Sequence, residues 1–568
     1  MVSDRVTEVR HRTVQTGWCR PWGCGIGGLL VLAMLPGAVW AQNLPPQTLP
    51  PAATPSVIGS GGERREGPVE PPPLQDEPLV GGQGLNGLPR ITIRGGGSRF
   101  TLSGVDFDPS GLLAVEELDA VAGRYVGRSL GFDDLQEMVG AVNALYDAHG
   151  QAAARAVLPP QRIEGGRVRI QLVEGRLDGV AVLGDPAVGA AYVRSRVRAE
   201  QGAVLDTQAL HRDVLRFNLT NDAQLRAALQ PGPSFGLTNL ELAVIEPPRA
   251  SLDLLADNHG FEATGRGQGG ALFRTGSLFA AGDRVALYAS GSRGTRMANI
   301  AYNLPVGTDG GRVGFSVSGS QTEIVQGDYR AYGITGASRA ISLNGSHPLW
   351  TGDSTLVSVN GALTRSHASN NIADVYVTGT RANKASAGLS FYYGDAETSV
   401  LVSPLAELAR LTETASGRQR VAPFFTGDAS AVHRFAASWT VQARGSWQLS
   451  TVQGLPGSQL FQIGGATSLR ALPPGALTGD TGAYGQFELH WDGSSLVKGL
   501  DLYGFYETGL VRLAGGNRVA MSDAGIGASL RLSERVSAEM AVAARLRDGD
   551  GTPMDRYRLY VRTVFHVF

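Results

Sequence analysis

From Trp439 to Leu449 the chain alternates: Trp439, Val441, Ala443, Gly445, Trp447 and Leu449 take the odd positions, and Thr440, Gln442, Arg444, Ser446 and Gln448 the even ones. Successive side chains of a strand point to opposite faces, so one face of this segment suits lipid and the other suits water. Trp439 and Trp447 stand eight residues apart, roughly 27 Å at about 3.3 Å per residue, which lets them occupy opposite interfacial belts of a tilted strand. A membrane-spanning strand is therefore expected, rather than a core strand of a soluble sheet. The pattern returns in Val313, Phe315 and Val317 against Gly314, Ser316 and Ser318, and in Ala538, Met540, Val542 and Ala544 against Ser537, Glu539, Ala541 and Ala543. Residues 249 to 568 number 320, and about 20 per strand with its share of loop gives about 16 antiparallel strands, an even count as expected of such barrels. A soluble β-sandwich is the plain alternative. The last segment, Tyr557 to Phe568, has the apolar register Tyr557, Leu559, Val561, Phe565 and Val567, which leaves His566 and Phe568 out of phase and a bulge open.

Composition fits an exported barrel. The formal net charge of −1 gives no sign of a nucleic-acid partner, and a mean hydropathy of −0.05 is what alternation produces, since it hides lipid-facing residues among polar ones. The one apolar run, Gly25 to Val39, is short and Gly-rich, follows Arg5, Arg10, Arg12 and Arg20, and ends in Val39-Trp40-Ala41. Residues 1–41 read as a secretory signal cleaved after Ala41, the alternative being an uncleaved inner-membrane anchor. Both cysteines, Cys19 and Cys24, lie within it, so the mature chain would carry no thiol and no cysteine metal site. The nine histidines are scattered, with no HExxH pair and no Gly-x-Ser-x-Gly elbow, so no enzyme, metal or cofactor is expected.

Residues 42–99 are dominated by Pro and Gly, including Pro45-Pro46 and Pro71-Pro72-Pro73, and read as an extended linker. From Phe100 the pattern becomes short strands and helices, twice. Asp133 and Asp134 can cap a helix with Leu135, Met138, Val139, Val142, Leu145 and Tyr146 on one face and Gly150 at its end. The strand Arg167 to Val173 follows and stops at Glu174-Gly175. A second copy runs from Val180-Ala181-Val182 through a helix carrying Leu210, Val214, Leu215 and Phe217 to strands near Leu225 and Leu240. His211, on that helix, reads as a surface or packing residue.

These residues reach a known family. Leu158-Pro159-Pro160-Gln161-Arg162-Ile163, Gly166-Arg167-Val168-Arg169-Ile170 and Val173-Glu174-Gly175 resemble the first polypeptide-transport-associated (POTRA) domain of two-partner secretion transporters, the TpsB or haemolysin secretion/activation family. Leu215-Arg216-Phe217-Asn218 and Leu229-Gln230-Pro231-Gly232 are similar to its second POTRA domain. Asp257-Asn258-His259-Gly260 and Tyr302-Asn303-Leu304-Pro305-Val306-Gly307 fall where its first barrel strands and turns lie, Gly464 to Arg470 resembles the tip of its lumen-entering sixth loop, and Phe505-Tyr506-Glu507-Thr508-Gly509 the wall-strand motif that receives it. The resemblance implies a transmembrane β-barrel of 16 antiparallel strands preceded by two periplasmic α+β POTRA domains, with boundaries at 100–177, 178–248 and 249–568.

It also points to a pore-loop latch in which Arg470 donates a bidentate pair to Glu507, the alternative being that each merely sits among the many polar groups that line such a lumen. Around it stand the loop motif Ser468, Leu469, Ala471 and Leu472 and the wall-strand motif residues Phe505 and Gly509. The family's loop usually reads Val-Arg-Gly followed by Tyr or Phe, so Leu469, Ala471 and Leu472 depart from it and its aromatic packing is lost; Glu507 stands where Asp is usual. Relatives plug the pore with a helix before the first POTRA domain, whereas the Pro-rich linker here has no evident helical segment. The implied function is translocation of an unfolded exoprotein, TpsA-like and of the haemolysin or adhesin class, across the outer membrane of a Gram-negative bacterium. Outer-membrane lipid and the barrel assembly machinery are the other expected partners. A barrel-assembly factor and a passive porin or receptor are the alternatives; two modules rather than five speak against the first, and the modules themselves against the second.

Overall fold

The computed structural model describes residues 74, 79–82, 99–513, 515–547 and 555–568. The expected signal segment, with Cys19 and Cys24, and most of the expected linker lie outside them.

One piece of that linker lies among the described residues. Val80–Gly82 forms strand β1, and Leu79 beside it is 5% exposed within an apolar core. Within the expected linker a short segment thus finds a parallel sheet edge downstream, with Leu79 buried and Val80 packed in part against the same core.

The first module contains β2 (Phe100–Thr101), β3 (Gly104–Phe107), α1 (Val115–Ala122), β4 (Ser129–Leu130), α2 (Phe132–Ala148), β5 (Ala154–Val157) and β6 (Arg167–Glu174). Sheet order β3-β6-β5 sets alternate residues Val168, Ile170 and Leu172 against Leu135, Met138, Val142 and Tyr146 of α2. Gly131, not Asp133 or Asp134, is the helix N-cap; Asp134 reaches back to accept its amide at 2.7 Å. Glu174 knots the module, accepting from the Gly111 amide at 2.8 Å and from the Tyr146 hydroxyl at 3.0 Å. Burial and that neighbouring carboxylate hold the Tyr146 phenol above its ordinary pKa.

The second module has β7 (Arg176–Leu183), α3 (Ala190–Arg194), α4 (Thr207–Thr220), β8 (Gln224–Pro231) and β9 (Leu237–Ile245), in sheet order β1-β8-β9-β7. The expected boundary at residue 177 falls inside β7. Asp206 caps α4, accepting from the Gln208 and Ala209 amides, and takes a third bond from Gln151 of the first module at 2.9 Å. Gly175 lies between the modules, where a Cβ would sit 2.7 Å from both the Ala153 carbonyl and Thr238 Oγ1.

Sixteen strands then close a barrel among the described residues. They are β10 (Ala250–Asp257), β11 (Gln268–Gly276), β12 (Arg284–Gly291), β13 (Thr295–Val306), β14 (Gly311–Glu323), β15 (Ile334–Thr351), β16 (Thr355–Ile372), β17 (Val375–Gly394), β18 (Thr398–Glu413), β19 (Gln419–Ala436) and β20 (Trp439–Ser450). After a long loop containing β21 (Phe461–Ile463) and β22 (Leu477–Gly479) come β23 (Thr481–Asp492), β24 (Leu500–Arg512), β25 (Arg518–Arg531), β26 (Val536–Arg547) and β27 (Tyr557–His566). Every neighbouring pair is antiparallel, so no edge is left open. The closing pair β10–β27 is short, with five paired residues, against eighteen for β16–β17. The terminal strand pairs in regular register up to His566. Beyond it the Val567 amide donates to the Leu252 carbonyl at 2.8 Å and the Leu252 amide to the Phe568 carbonyl at 3.2 Å, so two residues stand against one of β10 and Phe568 is turned to the exposed face.

The second module seats on the turns at the barrel's near end. Arg196 donates to the Gly307 carbonyl at 2.9 Å and lies 3.3 Å over the Tyr192 ring. Arg312 of β14 and Arg284 of β12 both donate to the Thr220 carbonyl, at 2.9 and 3.2 Å, bringing two cations to the C-terminal end of the α4 dipole. His211, expected to be a surface or packing residue, bonds the Asp353 carbonyl in the β15–β16 turn at 2.8 Å.

Candidate functional site

The loop between β20 and β23, residues 451 to 480, folds into the barrel. Its base is fixed by the fully buried Asp480, which accepts from the Gly454 and Leu455 amides at 2.9 and 2.8 Å. The β21–β22 pair carries the chain inward, and the tip turns at Gly464 and Gly465, with φ of 119° and 94°. Those left-handed angles, and a Pro473 carbonyl where a Gly464 Cβ would fall, admit only glycine readily. Ser468 Oγ accepts the Gly464 amide at 2.7 Å and closes the turn.

At the tip the structure differs from a bidentate Arg470–Glu507 fork. The Arg470 guanidinium divides itself between two acids: Nη2 pairs with Glu488 Oε1, and Nη1 lies 3.3 Å from Glu507 Oε1. Glu507 takes the Arg470 main-chain amide at 2.6 Å through its other oxygen and a Gln486 amide hydrogen at 2.7 Å. The next amide, of Ala471, goes to Asp523 Oδ2 at 2.9 Å. The wall therefore grips the tip through one cation and two consecutive peptide N–H groups. Gln486, Glu507 and Asp523 can act together because they are cross-strand neighbours on β23, β24 and β25. His490 stands behind Glu488, bonding it at 3.1 Å and Asp501 at 2.7 Å.

The expected loss of aromatic packing is also corrected. Guanidinium Cζ lies 4.2 Å from the Phe505 ring centroid and 5.7 Å from that of Tyr503, so aromatic faces come from the wall strand instead of the loop. Leu469 and Leu472 join Phe461, Ile463, Val511, Val519 and Met521 in one apolar cluster, and Ala471 packs with Tyr503 and Phe505 in another. Small Ala471 is what lets the tip lie flat there. At Gly509 a Cβ would stand 2.8 Å from Ile463 and 3.0 Å from Leu469, so the wall-strand glycine clears space for the loop. Beyond the arginine, Tyr560 of β27 donates to the Leu472 carbonyl at 3.3 Å.

Sequence reasoning found the arginine, Glu507, Phe505 and Gly509 but missed Glu488, Asp523, Gln486, His490 and Tyr503. Alternation was the available signal, since all five fall on inward positions of their strands. It does not say which inward polar residue meets the tip.

Several proteins are similar to this chain. The heme/hemopexin transporter protein HuxB of Haemophilus influenzae is 26% identical over 242 residues, and the match spans 42% of this chain and 42% of that protein. The outer membrane transporter CdiB of Dickeya dadantii is 23% identical over 419 residues, covering 70% and 73%. Among solved structures, CdiB from Escherichia coli superposes with a TM-score of 0.68 at 20% identity, covering 85% of this chain and 93% of that one. CdiB from Acinetobacter baumannii gives 0.61 at 16%, covering 88% and 94%. These last two speak to the fold. Residues 100–175 match the profile of the ShlB-type POTRA domain, and residues 236–532, more than half of the chain, match that of the haemolysin secretion/activation protein ShlB/FhaC/HecB. With its periplasmic modules, its closed barrel and its inward loop, the chain belongs to the ShlB/FhaC/HecB family of haemolysin secretion/activation proteins.

Proposed function

We propose that this protein is an outer-membrane translocator that takes an unfolded exoprotein from the periplasm through its POTRA domains and passes it through the barrel, with the inward loop as a gate latched by Arg470. The observation that carries the reading is the tip itself: a lumen loop held by a cation and two amides shared among Glu488, Glu507 and Asp523. Such contacts hold one arrangement, yet water or cargo groups entering the lumen can replace them one at a time. Residues 1–41 act as the signal in this reading, and the barrel assembly machinery inserts the chain into the lipid.

Cargo in extended form would add a strand to a sheet edge. Among the described strands, the outer strands of the two larger module sheets are β3 and β5 in the first module and β1 and β7 in the second, with β1 covering β8 and the start of β7 bridged to Val204. Deleting residues 100–174, which leaves β7 whole, should keep a folded barrel and remove one protein from the medium. The secretome measured with and without the deletion decides it: an unchanged secretome rejects capture by the first module. Depletion of many outer-membrane proteins instead would make the chain an assembly factor.

A further inference from the structure

The outward face of the barrel carries charge where lipid contact would favour none. Ile300, Val317, Ile341, Leu363 and Leu408 project outward from β13, β14, β15, β16 and β18 and form an exposed apolar band. Strand alternation puts every second residue on that same face. Going outward along the same strands, Arg365 pairs with Ile341, and Asn383 links Arg365 to Arg410. One row nearer the extracellular end, His367 stands between Arg339 and Arg381. Arg296, opposite Gln321, completes the group on β13.

All five arginines are exposed, and none has an ion-pair or hydrogen-bond partner among the described residues. The outward positions of this stretch carry one carboxylate, Glu323, beyond Gln321 at the end of β14. At the same end of β25 and β26 Arg518 and Arg547 are also exposed, so what sets β13–β18 apart is the number of arginines gathered there and the cavity between them. Between the arginines lies an open cavity of about 540 Å³ walled by Arg296, Arg339 and His367, with Ala298, Gly319 and Ala337 as its floor. His367 Nδ1 is buried there without a hydrogen-bond partner.

Unpaired guanidinium groups just above an apolar band meet the headgroup layer of the outer leaflet. Guanidinium is the side chain best fitted to phosphate, donating in a planar fork. The small floor residues leave room for a sugar-sized group, and the aliphatic row beneath suits acyl chains. We propose that strands β13–β18 bind a phosphorylated glycolipid of the outer leaflet, of the lipopolysaccharide class. Arg339, Arg381 and Arg296 would hold headgroup phosphate, Arg365 and Arg410 would stand at the acyl boundary, and His367 would donate or accept within the cavity. Such a site would fix the barrel's depth and rotation against the leaflet.

The test uses the full chain in detergent and rough-type lipopolysaccharide as the probe, with binding measured by native mass spectrometry. Wild type should bind the bis-phosphorylated lipid at least tenfold more tightly than its dephosphorylated form, and Arg339→Gln with Arg381→Gln should lose at least tenfold, while Arg339→Lys with Arg381→Lys keeps most binding. Heat-modifiable migration reports folding of each variant. If the glutamine variant does not fold, the comparison of phosphorylated with dephosphorylated lipid on wild type decides alone. Equal binding of both lipids, or of wild type and a folded glutamine variant, overturns the proposal. Full competition by millimolar inorganic phosphate overturns the lipid assignment in favour of a small-anion site.

Discussion

Arg470 is 8% exposed and Glu507 wholly buried, so removing the cation leaves acids facing one another across β23, β24 and β25. Breaking a buried pair from one side costs about 3–5 kcal/mol, enough to unseat a tip otherwise held by two amide bonds and apolar contact. Arg470→Ala should therefore raise or destabilise single-channel conductance and reduce secretion strongly, with barrel insertion unchanged. Arg470→Lys should restore function only in part, because one ammonium cannot reach Glu488, reach Glu507 and lie over Phe505 together. The Arg470→Ala, Glu507→Ala double variant should be little worse than the first single, since both residues act through one contact set. Additive secretion defects would return both to the class of ordinary lumen charges. Arg470 was legible because Gly464 to Arg470 resembles the family's lumen-loop tip, and Glu507 because Phe505 to Gly509 resembles the wall strand that receives it. Glu488 and Asp523 were not, because they meet the tip across 18 and 52 residues of chain.

At the scale of elements, two joints can be tested. Asp206 caps α4 and ties it to Gln151. Burial pushes its carboxyl up, but the bonds from Gln151, Ala209 and Gln208 outweigh that and hold it below the ordinary Asp value. A depressed folded pKa gives stability that is full above the unfolded value of about 3.9 and fades as pH falls through the folded one. The two modules should thus loosen from each other below about pH 4, and Asp206→Asn should flatten that dependence while Asp206→Ala costs about 1 kcal/mol. Denaturation of the full chain from pH 3 to 7, followed by limited proteolysis between the modules, checks it. The second joint is β1. Leu79 is its buried anchor, so Leu79→Asp should release Val80–Gly82 and expose the β8 edge, seen as faster amide exchange at residues 225 to 230 against wild type. Unchanged exchange would mean that Leu79 does not hold the strand. This strand was hidden in the sequence because three residues between Pro- and Gly-rich stretches have no periodicity of their own; the β8 edge makes them a strand. The helices α2 and α4, by contrast, were evident from Leu135 to Tyr146 and Leu210 to Phe217, since a helix displays its buried face within itself.

For the whole molecule, the strand count followed from length and alternation, whereas the outward arginines became visible only when the register of six strands set them side by side. The seating of the second module on the barrel turns, through Arg196, Arg312 and Arg284, gives cargo a fixed approach to the lumen. In the proposed mechanism the loop leaves the wall for cargo to pass. A Cβ at Gly509 of β24 would lie 3.0 Å from Leu469 of the loop, and no cysteine follows Cys24 in the sequence, so a Leu469→Cys, Gly509→Cys pair can tether the loop by a disulfide or a short thiol-reactive bridge. Secretion of the exoprotein identified by the module deletion is then measured with the tether closed and after reduction. The account predicts that the closed tether stops secretion and that reduction restores it; secretion at the wild-type level through a tethered loop would contradict it.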